Sequence, residues 1–543
     1  MSLLMGAPVS TTTPCPLLTR LDHKLLQTIA FFAEDDPSRP PEATRNLRLT
    51  CRMLNSILKP ENNRCRHVRL FKLKFDFAAL HRRLATDMLQ PAHYCAELLR
   101  RERALHSIRS SRLCEGDTLL VAYTMLLEDE GKNLAQLTAA GLPSLVRRYL
   151  CKQRYHGIAR GWPSVDKTTA LVAALCCQLY IATQDDSLIE DAITDLLMPF
   201  AIGTSQVQYP LFHLKLDFPD LPTSRDAFKN KDLHETREGL FLIREYFGHP
   251  FLLRIPPVAL SATLIFLKHT QKKKLELPSD HLEYPDRVAR CQPYRFTKAQ
   301  IDDFNGRRHL RQLARSPQRS ESTSYDADWQ RLSPFFGKHR RFIYRLGTLA
   351  GEWEGLIRGH DSGSYESLQN GGGWDSSPKA IAEFNAVSSC RPWSCSLSVH
   401  YRKIKRSRHI SPADEADEFC KRWLPPTCGW RKHEDGIVLL DAQGSISEPY
   451  TTYVDGQHSD AMEDVLSSYG PDTDEDDEVD GLDVVLTGKM KEFVGNGWTE
   501  TLVLGSVRAW DGLIALHRQA VCPYRFSLHS GLIIRHLHLS GSR

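Results

Sequence analysis

Apolar residues in the first seventy positions fall on two helical stripes. Leu21, Leu25, Leu26, Ile29 and Phe32 recur at steps of four, one, three and three, and Asp22 stands where a carboxylate caps a helix start. After the Pro-bearing loop DDPSRPPE comes a second stripe, Leu47, Cys51, Leu54 and Leu58, which Pro60 stops. Two such short helices cannot bury all their apolar faces against each other, so the unit at 17–70 wants a partner surface. Further helical patterns follow at 117–128 (DTLLVAYTMLLE), at 133–150 with the turn Gly141-Leu142-Pro143, and at 164–182. Helix, Gly-Pro turn and helix in succession is the look of an α-solenoid of armadillo type, although no fixed period emerges.

Downstream the period changes from helical to alternating. Thr348–Ile357, Ser396–Ile404, Gly436–Ala442, Leu482–Thr487, Thr501–Val507 and Leu513–Arg518 are short β-branched or alternating runs, separated by Gly, Asp, Ser and Pro clusters. They predict an antiparallel barrel or sandwich. The expected fold class is therefore α+β and multidomain. The expected divisions are a disordered tail at 1–16, a compact helical unit at 17–70, an α-helical region at 71–304, a linker at 305–339 and a β-barrel domain at 340–543. Within the last, 444–481 is expected to be an acidic loop, since seven of the nine residues Asp472–Asp480 are acidic.

Composition narrows the function classes. For 543 residues a net charge of +4 is nearly neutral, so nothing global marks a polyanion binder. The fourteen cysteines are spread along the chain without a CxxC pair, which suits reduced thiols in cytosol or nucleus better than a disulfide framework. The opening MSLLMGAPVSTTTP lacks the basic start and apolar run of a secretory leader. Leu171–Ala182 is too short to span a bilayer, and Leu252–Leu267 carries Arg254, Pro256 and Pro257; both read as buried helices or segments.

Candidate chemistry is sparse. The sequence holds no GxSxG elbow, and Gly371-Gly372-Gly373 leads into Trp374-Asp375 where a phosphate loop would need Lys-Ser/Thr. Cys390 and Cys395, with Cys420 and Cys428 nearby, lack the spacing of a zinc site, and His536 with His538 makes too few ligands. The basic run 402–408 (RKIKRSR) has only Tyr401 beside it for base stacking, so it reads as a solvated strand or as the electrostatic mate of the acidic run. No metal, cofactor, membrane or nucleic-acid partner is expected. Trp353, flanked by Gly351 and Gly355, is expected to plug one end of the barrel, the glycines relieving strand crowding.

Two blocks resemble a known family. Leu21-Asp22-His23-Lys24-Leu25-Leu26-Gln27-Thr28-Ile29 and Leu47-Arg48-Leu49-Thr50-Cys51-Arg52-Met53-Leu54-Asn55, followed by Arg66-His67-Val68-Arg69-Leu70, are similar to the F-box. Asp22 replaces the family's usual Pro and Lys24 its usual Glu. Leu346–Gly355, Asp483–Gly488 and Gly505–Ile514, with Trp510 and Gly512, are similar to strands of the barrel in large basidiomycete F-box proteins, which resembles the cyclin-D1-binding domain, a lipocalin-like barrel. After Gln519 the resemblance stops, and Leu532–Leu539 is an atypical His-rich strand.

The resemblance implies a non-catalytic subunit of a Skp–cullin–F-box ubiquitin ligase, cytoplasmic or nuclear. Leu21, Leu25, Leu26, Ile29, Leu47, Leu49, Cys51 and Leu54 would dock on a Skp-type adaptor and through it a cullin, while the barrel, framed by Gly351, Trp353, Gly355, Trp510 and Gly512, would recognise an unknown protein substrate. The alternative is a non-catalytic β-barrel ligand-binding protein whose F-box-like segment is structural.

Overall fold

In the computed structural model the described residues are 21–34, 36, 42–84, 89–110, 116–158, 167–183, 197, 241–256, 258, 260–265, 322–332, 344, 346–358, 390–407, 429–440, 449–454, 478–494, 497–508, 513–519 and 531–534. The expected tail at 1–16 lies outside them. The architecture is α+β: helices in the N-terminal part and an antiparallel sheet at the C-terminal end. The chain divides into two compact units, one of residues 1–145, 245–250 and 319–323, the other of the remainder.

The first unit opens with α1 (His23–Phe32), α2 (Glu42–Thr50) and α3 (Arg52–Leu58). Asp22 caps α1 by accepting from the backbone N–H of Lys24 at 3.4 Å, and Cys51 Sγ caps α3 by accepting from Leu54 N–H at 3.5 Å. Leu26, Ala30, Leu54, Ile57 and Leu58 form their shared core, with Leu21, Leu47, Cys51 and Met53 packed at its margin. Then come α4 (Arg64–Lys74), α5 (Ala78–Arg83), α6 (Pro91–Arg109), α7 (Gly116–Leu127) and α8 (Lys132–Ala139). Helix α9 (Leu142–Ile158) begins after Gly141 at φ 89°, with Pro143 in its first turn, as the sequence predicts; from Val146 it belongs to the second unit, as does α10 (Lys167–Thr183).

Charge is buried in this unit where partners exist for it. Arg101 is wholly buried; its Nε donates to Glu97 at 3.0 Å and its Nη2 to Glu128 at 2.6 Å, while the guanidinium lies 4.9 Å from the Phe71 ring centre and 5.2 Å from that of Phe75. Tyr246 donates its hydroxyl to Glu128 as well.

That tyrosine belongs to a hairpin, an extended element within the region 71–304 expected to be mainly helical. β1 (Phe241–Tyr246) and β2 (His249–Arg254) pair across Phe247 and Gly248, at φ 48° and 73°. Two successive positive-φ residues give the two-residue turn whose twist matches paired strands, so an apolar stretch read as helix forms a hairpin. Phe247 accepts the unfavourable backbone because its ring is buried against Phe71, Tyr94 and Tyr246.

The expected linker at 305–339 also needs correction. It contains a 3-10 turn at Ser322–Tyr325 and a helix, α11 (Asp326–Leu332). Tyr325, Trp329 and Leu332, at steps of four and three, supply a buried face that its polar flanks mask in sequence.

The C-terminal sheet has nine strands: β3 (Gly351–Arg358), β4 (Cys390–Ser407), β5 (Gly429–His433), β6 (Gly436–Leu440), β7 (Tyr450–Thr452), β8 (Glu478–Val494), β9 (Gly497–Arg508), β10 (Leu513–Gln519) and β11 (Gly531–Ile534). All pairings are antiparallel, in the order β11-β10-β9-β8-β4-β7-β6-β5, with β3 on the first half of β4. The sheet curls as half a barrel; among the described strands the hydrogen-bonded path ends at β11 and β5 and does not close. Each of the six runs predicted from alternation overlaps a strand, although Thr348–Ala350 precede β3 and 441–442 lie outside the described residues; β4 and β8 are 18 and 17 residues long, far beyond their apolar centres.

Both faces of the central strands are covered. Cys395, Leu397, Val399 and Tyr401 of β4 join Leu482, Val484, Leu486 and Met490 of β8 and residues of β9 and β10 on one side. On the other, Val485 and Leu504 join Ile437, Leu439 and Tyr450, with Trp430 against them. Alternation sends neighbouring residues to opposite sides, so a strand buried on both reads as a continuous apolar run. Where β4 and β8 approach, Gly488 is needed: a Cβ there would collide with the carbonyl oxygen of Ser396. The expected acidic loop 444–481 is narrower than predicted, because β7 lies inside it and β8 starts at Glu478. Pairing with β4 draws those acidic residues into the ladder: register sets Lys405 opposite Asp480 and Ser407 opposite Glu478.

Candidate docking surface

Helix α1 is apolar on two faces. Leu26 and Ala30, one turn apart, point into the helical core, and Leu26 is 4% exposed. Leu25, Ile29 and Phe32, at i, i+4 and i+7, form a separate strip that is 47%, 42% and 69% exposed. On α2, Leu47 packs at the core margin, so Leu49, two residues on and about 200° around the helix, points away and is 74% exposed. Among the described residues the exposed large hydrophobic side chains are these four and Val454. Four of the five therefore sit on two adjacent short helices, which is not the scattered exposure of an ordinary surface.

The eight residues expected to touch an adaptor thus divide. Leu25, Ile29 and Leu49 are outward. Leu26 and Leu54 (4% exposed) are used inside the chain, and Leu21, Cys51 and Leu47 pack at the margin of that same core. Reading both stripes as one docking face was too broad: a stripe shows that a helix is apolar, and only the neighbouring helices decide which side of it is covered. Phe32 belongs with the outward set and was absent from the expected contacts; its i+7 relation to Leu25 is the signal that finds it. Lys24 is exposed beside the strip, and Asp22 serves as the cap of α1.

In the sheet, Trp353 donates its indole N–H to the carbonyl of Leu349 at 2.9 Å and packs against the larger apolar cluster, beside Tyr344, Leu346 and Leu349. Gly351 differs from expectation. Its φ is 119° and nothing lies within 4 Å of where a Cβ would be, so backbone conformation and not crowding requires glycine there. Gly355 pairs in register with Trp393. Trp510 and Gly512 lie outside the described residues.

Arg402, at the start of the basic run on β4, faces a carboxylate. Arg402 Nη2 lies 3.0 Å from Asp483, which also accepts from the Tyr450 hydroxyl at 2.8 Å, and the guanidinium stands 4.7 Å from the Tyr450 ring centre. Arg402 is thus engaged within the sheet. On the same face His400 is buried between two hydroxyls, its Nδ1 3.0 Å from Thr452 Oγ1 and its Nε2 2.7 Å from Thr487 Oγ1. Burial lowers its pKa to about 4, so the imidazole is neutral. Cys395 is a buried thiol in the apolar cluster; Cys420, Cys428, His536 and His538 lie outside the described residues. Among the described residues no group of three or more His, Cys, Asp or Glu side chains gathers to hold a metal ion, and no helix is long and apolar enough to cross a membrane.

Comparison with protein-family models, with curated proteins and with solved structures finds no match to this chain.

Proposed function

We propose that this chain is the substrate receptor of a Skp–cullin–F-box ubiquitin ligase, with the outward strip of α1 and Leu49 of α2 docking on the Skp-type adaptor. The observation that carries this reading is the concentration of exposed large apolar side chains on the two helices whose sequence is similar to the F-box. A protein keeps such a strip out of its own core when another protein covers it. The inner face of the same helices is already filled by Leu26, Ala30, Leu54, Ile57 and Leu58, so the docking unit is prefolded and loses little order on binding. In this reading the curled C-terminal sheet recognises the protein substrate. The chain supplies no catalytic group: the ligase's other subunits perform the transfer, and the receptor contributes proximity.

The test is co-purification of the full chain with its host's Skp-type adaptor, comparing wild type with Leu25→Asp/Ile29→Asp. Both substituted side chains are exposed, so the variant should fold and lose the complex. A folded wild type that forms no complex, or a double variant that binds as well as wild type, would overturn the proposal.

A further inference from the structure

The near-neutral charge of the chain conceals a strong local imbalance. Residues 43–74 carry nine Lys and Arg against one carboxylate, Glu61, so this segment is +8 where the whole chain is +4 and the remainder −4. The segment takes in nearly all of α2, together with α3 and α4. It therefore begins on the helix that carries Leu49 of the outward apolar set.

Packing engages some of these cations. Lys74 is buried 3.1 Å from Glu34, and Lys72 stands over the rings of Phe77 and Tyr94. Arg45 donates to His106 Nδ1 at 3.0 Å and Arg48 to Asn55 Oδ1 at 3.4 Å, partners that bring no negative charge. Arg66 keeps both Nη atoms enclosed without a hydrogen-bond acceptor. The remaining four, Arg52, Lys59, Arg64 and Arg69, are exposed and form no ion pair among the described residues. Arg52 and Lys59, seven apart, stand across α3 from its buried Leu54, Ile57 and Leu58. Arg64 opens α4, and Arg69 lies across that helix from buried Leu70, Phe71 and Lys74. Arg52 comes three residues after Leu49, so the basic row starts at the edge of the apolar strip. Meanwhile the carboxylates of the neighbouring positions are spent inside the unit. Asp22 caps α1, Glu34 meets Lys74 and the Thr44 N–H, and Glu42 meets Arg109.

Resting on the adaptor docking proposed for the strip, we infer that the adaptor's face toward this unit is acidic. Its carboxylates meet Arg52, Lys59, Arg64 and Arg69 beside the apolar contact. Three of the four are arginines, whose planar fork takes a carboxylate through two hydrogen bonds. A nucleic-acid backbone would match the cations but leave Leu25, Ile29, Phe32 and Leu49 in water, whereas an acidic protein face answers both features. The basic row speeds encounter, and the apolar strip holds the complex once formed.

The test is stopped-flow association of the full chain with its host's Skp-type adaptor at about 50 mM and about 500 mM NaCl, which screens exposed charges. The wild-type association rate should fall at least tenfold, with a much smaller change in dissociation. Arg52→Gln/Lys59→Gln/Arg64→Gln/Arg69→Gln should associate at low salt about as slowly as wild type at high salt, yet still form the complex. Association that ignores salt, or a variant as fast as wild type, overturns the acidic face and leaves the docking strip standing. A folded wild type that forms no complex overturns both. Tighter binding to a duplex DNA fragment than to the adaptor, each at about 150 mM NaCl, would make the row a nucleic-acid surface and overturn the acidic face as well. Should the variant not fold, the wild-type salt profile decides.

Discussion

His400 makes the C-terminal sheet sensitive to acid. It is 4% exposed, and its two ring nitrogens meet hydroxyls of β7 and β8; among the described residues no carboxylate is bonded to it to offset a positive charge. Its pKa falls from the ordinary 6.5 to about 4 because burial penalises the cation. Between those values the unfolded chain holds a proton that the folded chain does not, so stability contributed by this site is full above about pH 6.5 and falls as pH drops toward 4. At about 1.4 kcal/mol per pKa unit the whole effect is about 3 kcal/mol, and from pH 7 to pH 5 about 2 kcal/mol should be lost. The assay is urea unfolding at pH 7 and pH 5, with exchange protection of the β4 and β8 amides as readout for the sheet. Other groups titrate over that interval, so wild type is compared with His400→Gln, which retains a donor and an acceptor but no titration. The variant should lose about 2 kcal/mol less than wild type on acidification. Parallel losses in the two proteins would mean that His400 is not held neutral by its surroundings, and the reasoning would fail.

Other substitutions separate docking from folding. The exposed fractions of Leu25, Ile29 and Phe32 leave about one and a half side chains' worth of apolar surface for a partner to cover, worth roughly 2–4 kcal/mol. Replacing Leu25 and Ile29 by Asp should therefore weaken adaptor binding at least tenfold in calorimetry while leaving thermal unfolding unchanged. Leu54→Ala removes a buried core residue and should cost about 2–5 kcal/mol of stability in denaturant titration, with adaptor binding lost only through unfolding. Arg101→Met leaves Glu128 buried without its cation and Glu97 with only its 3.6 Å pair to Arg100, which should cost about 3–5 kcal/mol at neutral pH; unfolding curves unchanged from wild type would show that the two carboxyls carry no net charge there.

Much of the sheet was legible because alternation is a local property. Val399 and His400 are adjacent and face opposite sides wherever the strand lies. The lengths of β4 and β8 were not legible, since their outer ends consist of charged and small residues that only a paired neighbour holds extended: Lys405 is in a strand because Asp480 lies across from it. Likewise nothing local in HPFLLR distinguishes a strand from a buried helix until Phe247 and Gly248 turn the chain, and the helical core supplies the aromatic cavity that makes the turn tolerable. The candidate docking surface was half visible. Its helices, caps and apolar residues followed from spacing, yet Leu25 and Leu26 differ in role by one position and by 100° around the helix.

By itself the sequence determined where helical and extended periodicity change over, that α1 is capped by Asp22 and carries more apolar surface than one face requires, and that basic and acidic runs of similar length stand on either side of the sheet's long insertion. Tertiary structure decided which apolar face is spent inside the chain and which residues far apart in sequence complete a buried charge network. Periodicity is set by bond geometry within a few residues. Burial depends on which distant surfaces arrive to exclude water, so exposure of Leu25 and burial of Leu26 belong to the packed assembly of α1, α2 and α3.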